Sequence, residues 1–350
     1  MKQTILKFSF ALALLLAFGA RPSTAHAQGT LTPPGAPVPT MKSLDQIYTK
    51  LDPRTPIATN TTPGDASNLF IISQPGSYYL TTNIVTASTY AGNGIEILAN
   101  NVSLDLNGFS VSCTSTNTGT YGIDIPYSQT NLVVRNGNLT GWSFGVLSGS
   151  GYTGNLVLET LNVANCNKAI YGGYGITLNG PAVIRDCNAV GNGIGISCNN
   201  NVSPDSSLIT GCTANHNSYY GIELSGGGTI SGCTANNNNN VGINIAFNQY
   251  GYSTSDGCLV TKCTANNNVD GIYIQGARNR VENNHAANNT AYGLFVDNGT
   301  GGATNNIIIG NSMAGSGAAN FLITGTQITG PIITATGTIT NSNPWANFSF

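Results

Sequence analysis

The chain has 350 residues, of which only 7% are charged, against about 25% in an ordinary soluble domain. Its 44 Gly, with Asn about as common, fall far short of the one-third Gly of collagen, and the Leu-Glu-Lys mixture of helical proteins is missing. Twelve Lys and Arg against fourteen Asp and Glu are too few cations for a phosphate-tracking surface, so nucleic acid is not an expected partner.

The first element is a targeting segment. Lys2 and Lys7 form a positive region, Phe8–Ala20 is apolar, and Ala25-His26-Ala27 gives an A-x-A cleavage site before Gln28, which reads as a signal peptide over residues 1–27. The apolar run is too short to cross a bilayer, and no later stretch approaches the length of a spanning helix. An exported protein is expected, periplasmic or extracellular, with no membrane span. Removing residues 1–27 leaves nine Lys and Arg against fourteen acids, a net charge of −5. Residues 28–41 form a linker in which Pro33, Pro34, Pro37 and Pro39 favour extended chain. Residues 42–92 hold a cap helix and the first strands. Ser43-Leu44-Asp45-Gln46 fits a capping box, Leu44, Ile47 and Leu51 share a face, and Pro53 ends the helix.

Residues 93–350 carry a repeat and end in a C-terminal cap built on Trp345 and Phe348. Its first marker is a small residue followed by an aliphatic one. It recurs at Gly94-Ile95, Gly122-Ile123, Gly145-Val146, Ala169-Ile170, Gly195-Ile196, Gly221-Ile222, Gly242-Ile243, Gly271-Ile272 and Gly293-Leu294, with Gly175-Ile176 competing for the fourth place. The second marker is a triplet at offsets 0, +3 and +5, running from Leu106/Phe109/Val111 and Val134/Gly137/Leu139 through Ile184/Cys187/Ala189 to Val281/Asn284/Ala286 and Ile309/Ser312/Ala314. Gaps of 21 to 29 residues between first markers, short strands and Gly/Asn turns indicate a parallel β-helix. Each coil stacks on the last at about 4.8 Å and no coil buries its apolar face alone.

Val102-Ser-Leu-Asp-Leu-Asn-Gly-Phe109 and Asn131-Leu-Val-Val-Arg-Asn-Gly137 resemble the right-handed parallel β-helix proteins of the pectin-lyase-like superfamily. The lead-in over residues 34–47 resembles that of uncharacterised exported bacterial members. The resemblance implies an all-β solenoid of about nine to ten coils. It does not imply one chemistry, because that superfamily holds lyases, hydrolases, epimerases and non-catalytic binders.

Stacking turns repeated positions into columns. Asn192, Asn217, Asn238, Asn268 and Asn289 form one, expected to be an asparagine ladder at a bend that tolerates the left-handed conformation. Cys187, Cys212, Cys233 and Cys263 form an inward column, expected to be buried thiols because directly stacked Cβ vectors run parallel and oppose disulfide geometry. No metal site is expected, since C-x₂-C pairs are absent.

The position two after the first marker is expected to face outward. It reads Glu96, Asp124, Leu147, Tyr171, Ser197, Glu223, Asn244, Tyr273 and Phe295. Glu96 and Asp124 would be neighbours, suited to a retaining glycosidase pair or to calcium on a lyase, or else are solvated surface acids. A second outward column, Asn107, Arg135, Glu159 and Arg185, offers Arg135 and Arg185 as lyase-type cations or as members of a surface ion-pair ladder. Tyr171, Tyr250, Tyr252, Tyr273 and Phe295 are ring residues suited to stacking on sugars or to anchoring loops.

Two functions of different class follow. One is a monomeric, non-catalytic exported protein whose surface binds polysaccharide, cell-surface glycan or another macromolecule, with no cofactor. The alternative is a polysaccharide lyase or glycoside hydrolase, with calcium in the lyase case.

Overall fold

The computed structural model describes residues 43, 52–127, 129–149, 154–167, 173–199, 207–245, 255–299, 302–334 and 337–350. The expected signal peptide, linker and all but Ser43 of the cap helix lie outside these residues. The strands all fall within the unit Pro53–Phe350. A first sheet of sixteen strands runs from Thr55–Pro56 to Ile328–Thr329, and a second of eleven from Asn68–Ile72 to Ala319–Ile323. Neighbouring strands are one coil apart in sequence and pair in parallel. This is a parallel β-solenoid of about nine turns, as expected.

Two apolar columns face each other across the interior. The second sheet contributes Ile95, Ile123, Val146, Ile176, Ile196, Ile222, Ile243, Ile272 and Leu294, all with no exposed surface. The first sheet contributes Leu104, Val134, Leu158, Ile184, Ile209, Ile230, Val260, Val281 and Ile308, equally buried. Burial of these aliphatic side chains, each stabilising by about 1.5–3 kcal/mol, couples every coil to its neighbours.

The glycine that precedes each aliphatic residue is sterically required. A Cβ on Gly195 would lie 2.6 Å from the Gly221 carbonyl oxygen, and a Cβ on Gly145 would lie 2.5 Å from that of Gly175. This overturns Ala169-Ile170 as the fourth marker. Gly175-Ile176, in the strand Tyr174–Leu178, pairs with Phe144–Ser148 on one side and Ile194–Asn199 on the other. Two triplets also shift. In the first coil Asn107 and Gly108 are both left-handed (φ 53° and 80°) and lengthen the turn. Leu106 then points inward above Gly137, where a Cβ would be 2.3 Å from its own, while Phe109 is only partly buried. At the other end the register is Ile308/Asn311/Met313 and not Ile309/Ser312/Ala314.

The asparagine column is continuous. Asn217 donates to Asn238 Oδ1 from its backbone N at 3.0 Å and from Nδ2 at 2.9 Å. Asn238 does the same to Asn268 at 2.9 and 3.1 Å. All five side chains are buried. The left-handed residue is the one before each, Asn237, Asn267 and Asn288 among them, and not the column residue itself. All eight cysteines are buried free thiols. Cys187, Cys212, Cys233 and Cys263 stack inside the first sheet, and the column continues as Asn284, Asn311 and Asn347, each amide accepting from the backbone N of the residue above. Burial pushes Cys198 and Cys258 up to about 12. Near the chain end, Asn347–Ser349 forms a strand beside Ser312–Met313 and Ile332–Ile333. Trp345 stays 55% exposed there while Ala346 and Asn347 are buried, so the indole is not what this terminal segment buries.

Candidate functional site

The outer side of the second sheet presents two in-register columns. The residue before each glycine runs Asn93, Tyr121, Phe144, Tyr174, Ile194, Tyr220, Val241, Asp270 and Tyr292. The residue two after it runs Glu96, Asp124, Leu147, Thr177, Ser197, Glu223, Asn244, Tyr273 and Phe295. The glycine and the aliphatic residue between them both face inward, as the burial of Asn93–Ile97, Phe144–Ser148 and Tyr292–Val296 shows, and this break in strand alternation turns both columns away from the core. The middle of the second column is nevertheless covered. Thr177, Ser197, Glu223 and Asn244 are at most 8% exposed, so the outward direction expected for this column does not bring these residues to solvent.

Aromatic rings gather in two runs. Tyr121, Phe144 and Tyr174 have successive centroids 5.4 Å apart, the last pair stacked. Tyr273 and Phe295 are 5.1 Å apart, and Tyr292 lies 4.9 Å from Phe295. Tyr273 and Phe295, both expected from sequence, therefore meet. Tyr171, Tyr250 and Tyr252 lie outside the described residues, and Thr177 holds the column position expected for Tyr171. Tyr121, Phe144 and Tyr292 were not singled out. Their signal was the residue just before the glycine, which is aromatic in five of nine coils: Tyr121, Phe144, Tyr174, Tyr220 and Tyr292.

Acids flank both runs. Glu96 and Asp124 are direct register neighbours. Asn68 Nδ2 donates to Glu96 Oε2 at 3.1 Å and to Asp65 Oδ1 at 3.2 Å, and Asn93 Nδ2 donates to Asp124 Oδ2 at 3.2 Å. Burial, with Glu96 beside it, pushes Asp124 up to about 6, and burial followed by Asp65 raises Glu96. At 7% exposure Asp124 is not a solvated surface acid. A cavity of about 490 Å³ is lined by Ser67, Thr89, Tyr90, Asn93, Gly119 and Tyr121 among others; neither acid lines it, and Asn93 links it to Asp124. Toward the other end, Glu223 Oε2 accepts from Ser197 Oγ at 2.8 Å, and burial raises its pKa. Tyr273 donates its hydroxyl to Asp297 Oδ2 at 2.8 Å, and Asp270 Oδ1 accepts from the Tyr292 backbone N at 3.1 Å.

Arg135 and Arg185 belong to the first sheet and do not join Glu96 and Asp124. Their column is Asp105, Arg135, Glu159 and Arg185, so Asp105 replaces the expected Asn107. Arg135 lies 3.3 Å from Asp105 and 3.8 Å from Glu159, and Arg185 Nε donates to Glu159 at 2.7 Å. Both arginines are thereby held in an ion-pair ladder. Among the described residues no three His, Cys, Asp or Glu side chains gather to hold a metal, and no helix is long and apolar enough to cross a membrane.

Residues 205–341 match the family model described as a right handed beta helix region. No curated protein matches the chain. Among solved structures, the Dettilon tailspike protein is similar over 81% of this chain at 12% identity with a TM-score of 0.56, and this chain spans only 60% of it. The Azotobacter vinelandii mannuronan C-5 epimerase AlgE6 A-module aligns over 79% of this chain and 90% of its own, at 11% identity and a TM-score of 0.41. The periplasmic alginate epimerase AlgG aligns over 88% and 82%, at 9% identity and 0.38. At these identities the likeness concerns the fold. Repeat, register and family match together make the chain a right-handed parallel β-helix repeat protein.

Proposed function

We propose that this is an exported, non-catalytic protein that binds glycan chains along the outer face of its second sheet. The observation that carries the reading is the pair of ring runs, Tyr121–Phe144–Tyr174 and Tyr273–Phe295–Tyr292, mounted in register on one rigid face. Sugar rings stack on aromatic side chains while neighbouring polar groups bond their hydroxyls, and Asn93, Gln275 and Asp297 stand beside these rings. A rigid platform also limits the entropy lost on binding. A glycan array on the mature protein tests this. Hits are expected, and Phe295→Ala with Tyr273→Ala weakens each by about tenfold, about 1.4 kcal/mol. Unchanged binding by that variant contradicts the assignment.

A second reading, glycoside cleavage, is favoured by one observation: Asp124, pushed up to about 6, stands beside Glu96. One carboxyl holding a proton beside an ionised partner is the arrangement acid-assisted cleavage needs. Product analysis on any glycan hit, with and without calcium, decides it. Cleavage abolished by Asp124→Asn supports the enzyme.

A further inference from the structure

Positive and negative charge are divided between the two sheets. Among the described residues the Lys and Arg side chains are Arg54, Arg135, Arg185, Lys262, Arg278 and Arg280. Every one lies on the first sheet or in a turn that borders it. The strands of the second sheet contain Glu96, Asp124, Glu223 and Asp270 and no Lys or Arg, and Asp297 follows the strand Tyr292–Val296. The first sheet neutralises its acids in the ladder of Asp105 and Glu159. Among the described residues the acids of the second face take their hydrogen bonds from amides, hydroxyls and backbone N–H groups and from no Lys or Arg.

Among the described residues of this face the side-chain donors Asn68, Asn93, Ser197 and Tyr273 are already spent on its acids. Asn244 is 2% exposed and its Oδ1 has no partner, and Asn199 Oδ1, near Ser197, is also unpartnered. A buried acceptor without a donor is a standing cost, and in this column it shows that acceptors outnumber donors. Carboxylated sugars bring more acceptors and more negative charge to a face that has both in excess. Protonated amines bring three donors and the missing positive charge.

We propose that this face selects glycans bearing free amino groups, of the glucosamine-polymer class, and rejects uronic-acid chains. The proposal rests on the glycan-binding reading above. Selectivity arises from charge and donor count, while the ring runs supply contact common to all sugars.

The test is calorimetric binding of the full chain to a glucosamine hexamer, its N-acetylated counterpart and an oligogalacturonate, in mildly acidic buffer that keeps the hexamer amines protonated, with chelator and then with calcium. The amino hexamer is expected to bind about tenfold or more tighter than the acetylated one, about 1.4 kcal/mol. Asp270→Asn combined with Asp297→Asn removes that preference, and Glu282→Gln on the first sheet leaves it unchanged. A melting curve establishes that each variant is folded, and the comparison of ligands on the unaltered chain decides the question without any variant. Equal or tighter binding of the acetylated hexamer, or calcium-dependent binding of oligogalacturonate, overturns the selectivity and leaves the glycan face standing. Binding to none of the three, nor to any sugar on an array, overturns the glycan reading itself.

Discussion

Replacing Asn238 by Ala removes the middle of the five-residue amide column. The Asn238 side chain accepts from the Asn217 backbone N at 3.0 Å and donates to the Ala214 carbonyl at 3.1 Å. It also bonds Asn217 Nδ2 at 2.9 Å and Asn268 Oδ1 at 3.1 Å. Those last two groups keep other partners, the Ala189 carbonyl and the Asn238 backbone N. Two buried backbone groups are left orphaned, at about 1–3 kcal/mol each, so the variant is destabilised by about 4 kcal/mol. Shifts run at about 2–4 °C per kcal/mol for a domain of somewhat smaller size, which gives a drop of about 8 °C or more in a melt followed by circular dichroism. Asn298→Ala, at a site more exposed than Asn238, serves as control and moves the midpoint by less than about 2 °C. A drop of that small size for Asn238→Ala would refute the idea that the column holds the bend, and would assign its amides a filling role only.

Gly195→Ala forces a Cβ to within 2.6 Å of the Gly221 carbonyl and is expected to yield insoluble or strongly destabilised protein, read by soluble yield and melting. Arg185→Ala, at the exposed end of the ion-pair ladder, lowers stability by less than about 1 kcal/mol in denaturant titration. Asp124 is raised from 3.8 to about 6 on folding, and Glu96, Asp270 and Glu223 are raised too. The folded state therefore binds these protons more readily. The resulting stability is fully present below the unfolded values and is lost as pH rises through about 6 for Asp124. The melting temperature should rise from about pH 7 to about pH 5, and Asp124→Asn should flatten that rise; a monotonic fall in the unaltered protein would contradict it. All eight thiols are buried, so alkylation should label none in the native protein and eight after unfolding, with labelling of native Cys198 or Cys258 as the contrary result.

The solenoid was legible because its constraint is periodic. A glycine with the next coil's carbonyl 2.5–2.7 Å from any Cβ recurs wherever the strand recurs. The misplaced fourth coil shows how far that went. Ala169-Ile170 satisfies a pattern of small then aliphatic, but only a residue without Cβ meets the steric condition, and Gly175 does. The register errors at Leu106 and Ile309 have a similar origin. An added left-handed turn residue or a one-residue slip changes which side chain points inward without changing composition. The candidate face was only half legible. Tyr273 and Phe295 stood in one readable column, whereas Tyr121, Phe144 and Tyr292 became their partners only once the neighbouring column was in register. Burial of Glu223 and Asn244 was not legible, because what covers an outward strand position is not written in the repeat. The separation of Arg135 and Arg185 from Glu96 and Asp124 depended on knowing which sheet each column belongs to.

The measurement closest to the central claim is photo-crosslinking with a reactive derivative of the tightest glycan hit, followed by peptide mapping. Labels are predicted on the second-sheet face, in the segments 121–124, 144–147, 270–275 and 292–297. Labels confined to the first sheet around Arg135 and Arg185, or to the chain end around Trp345, would contradict it.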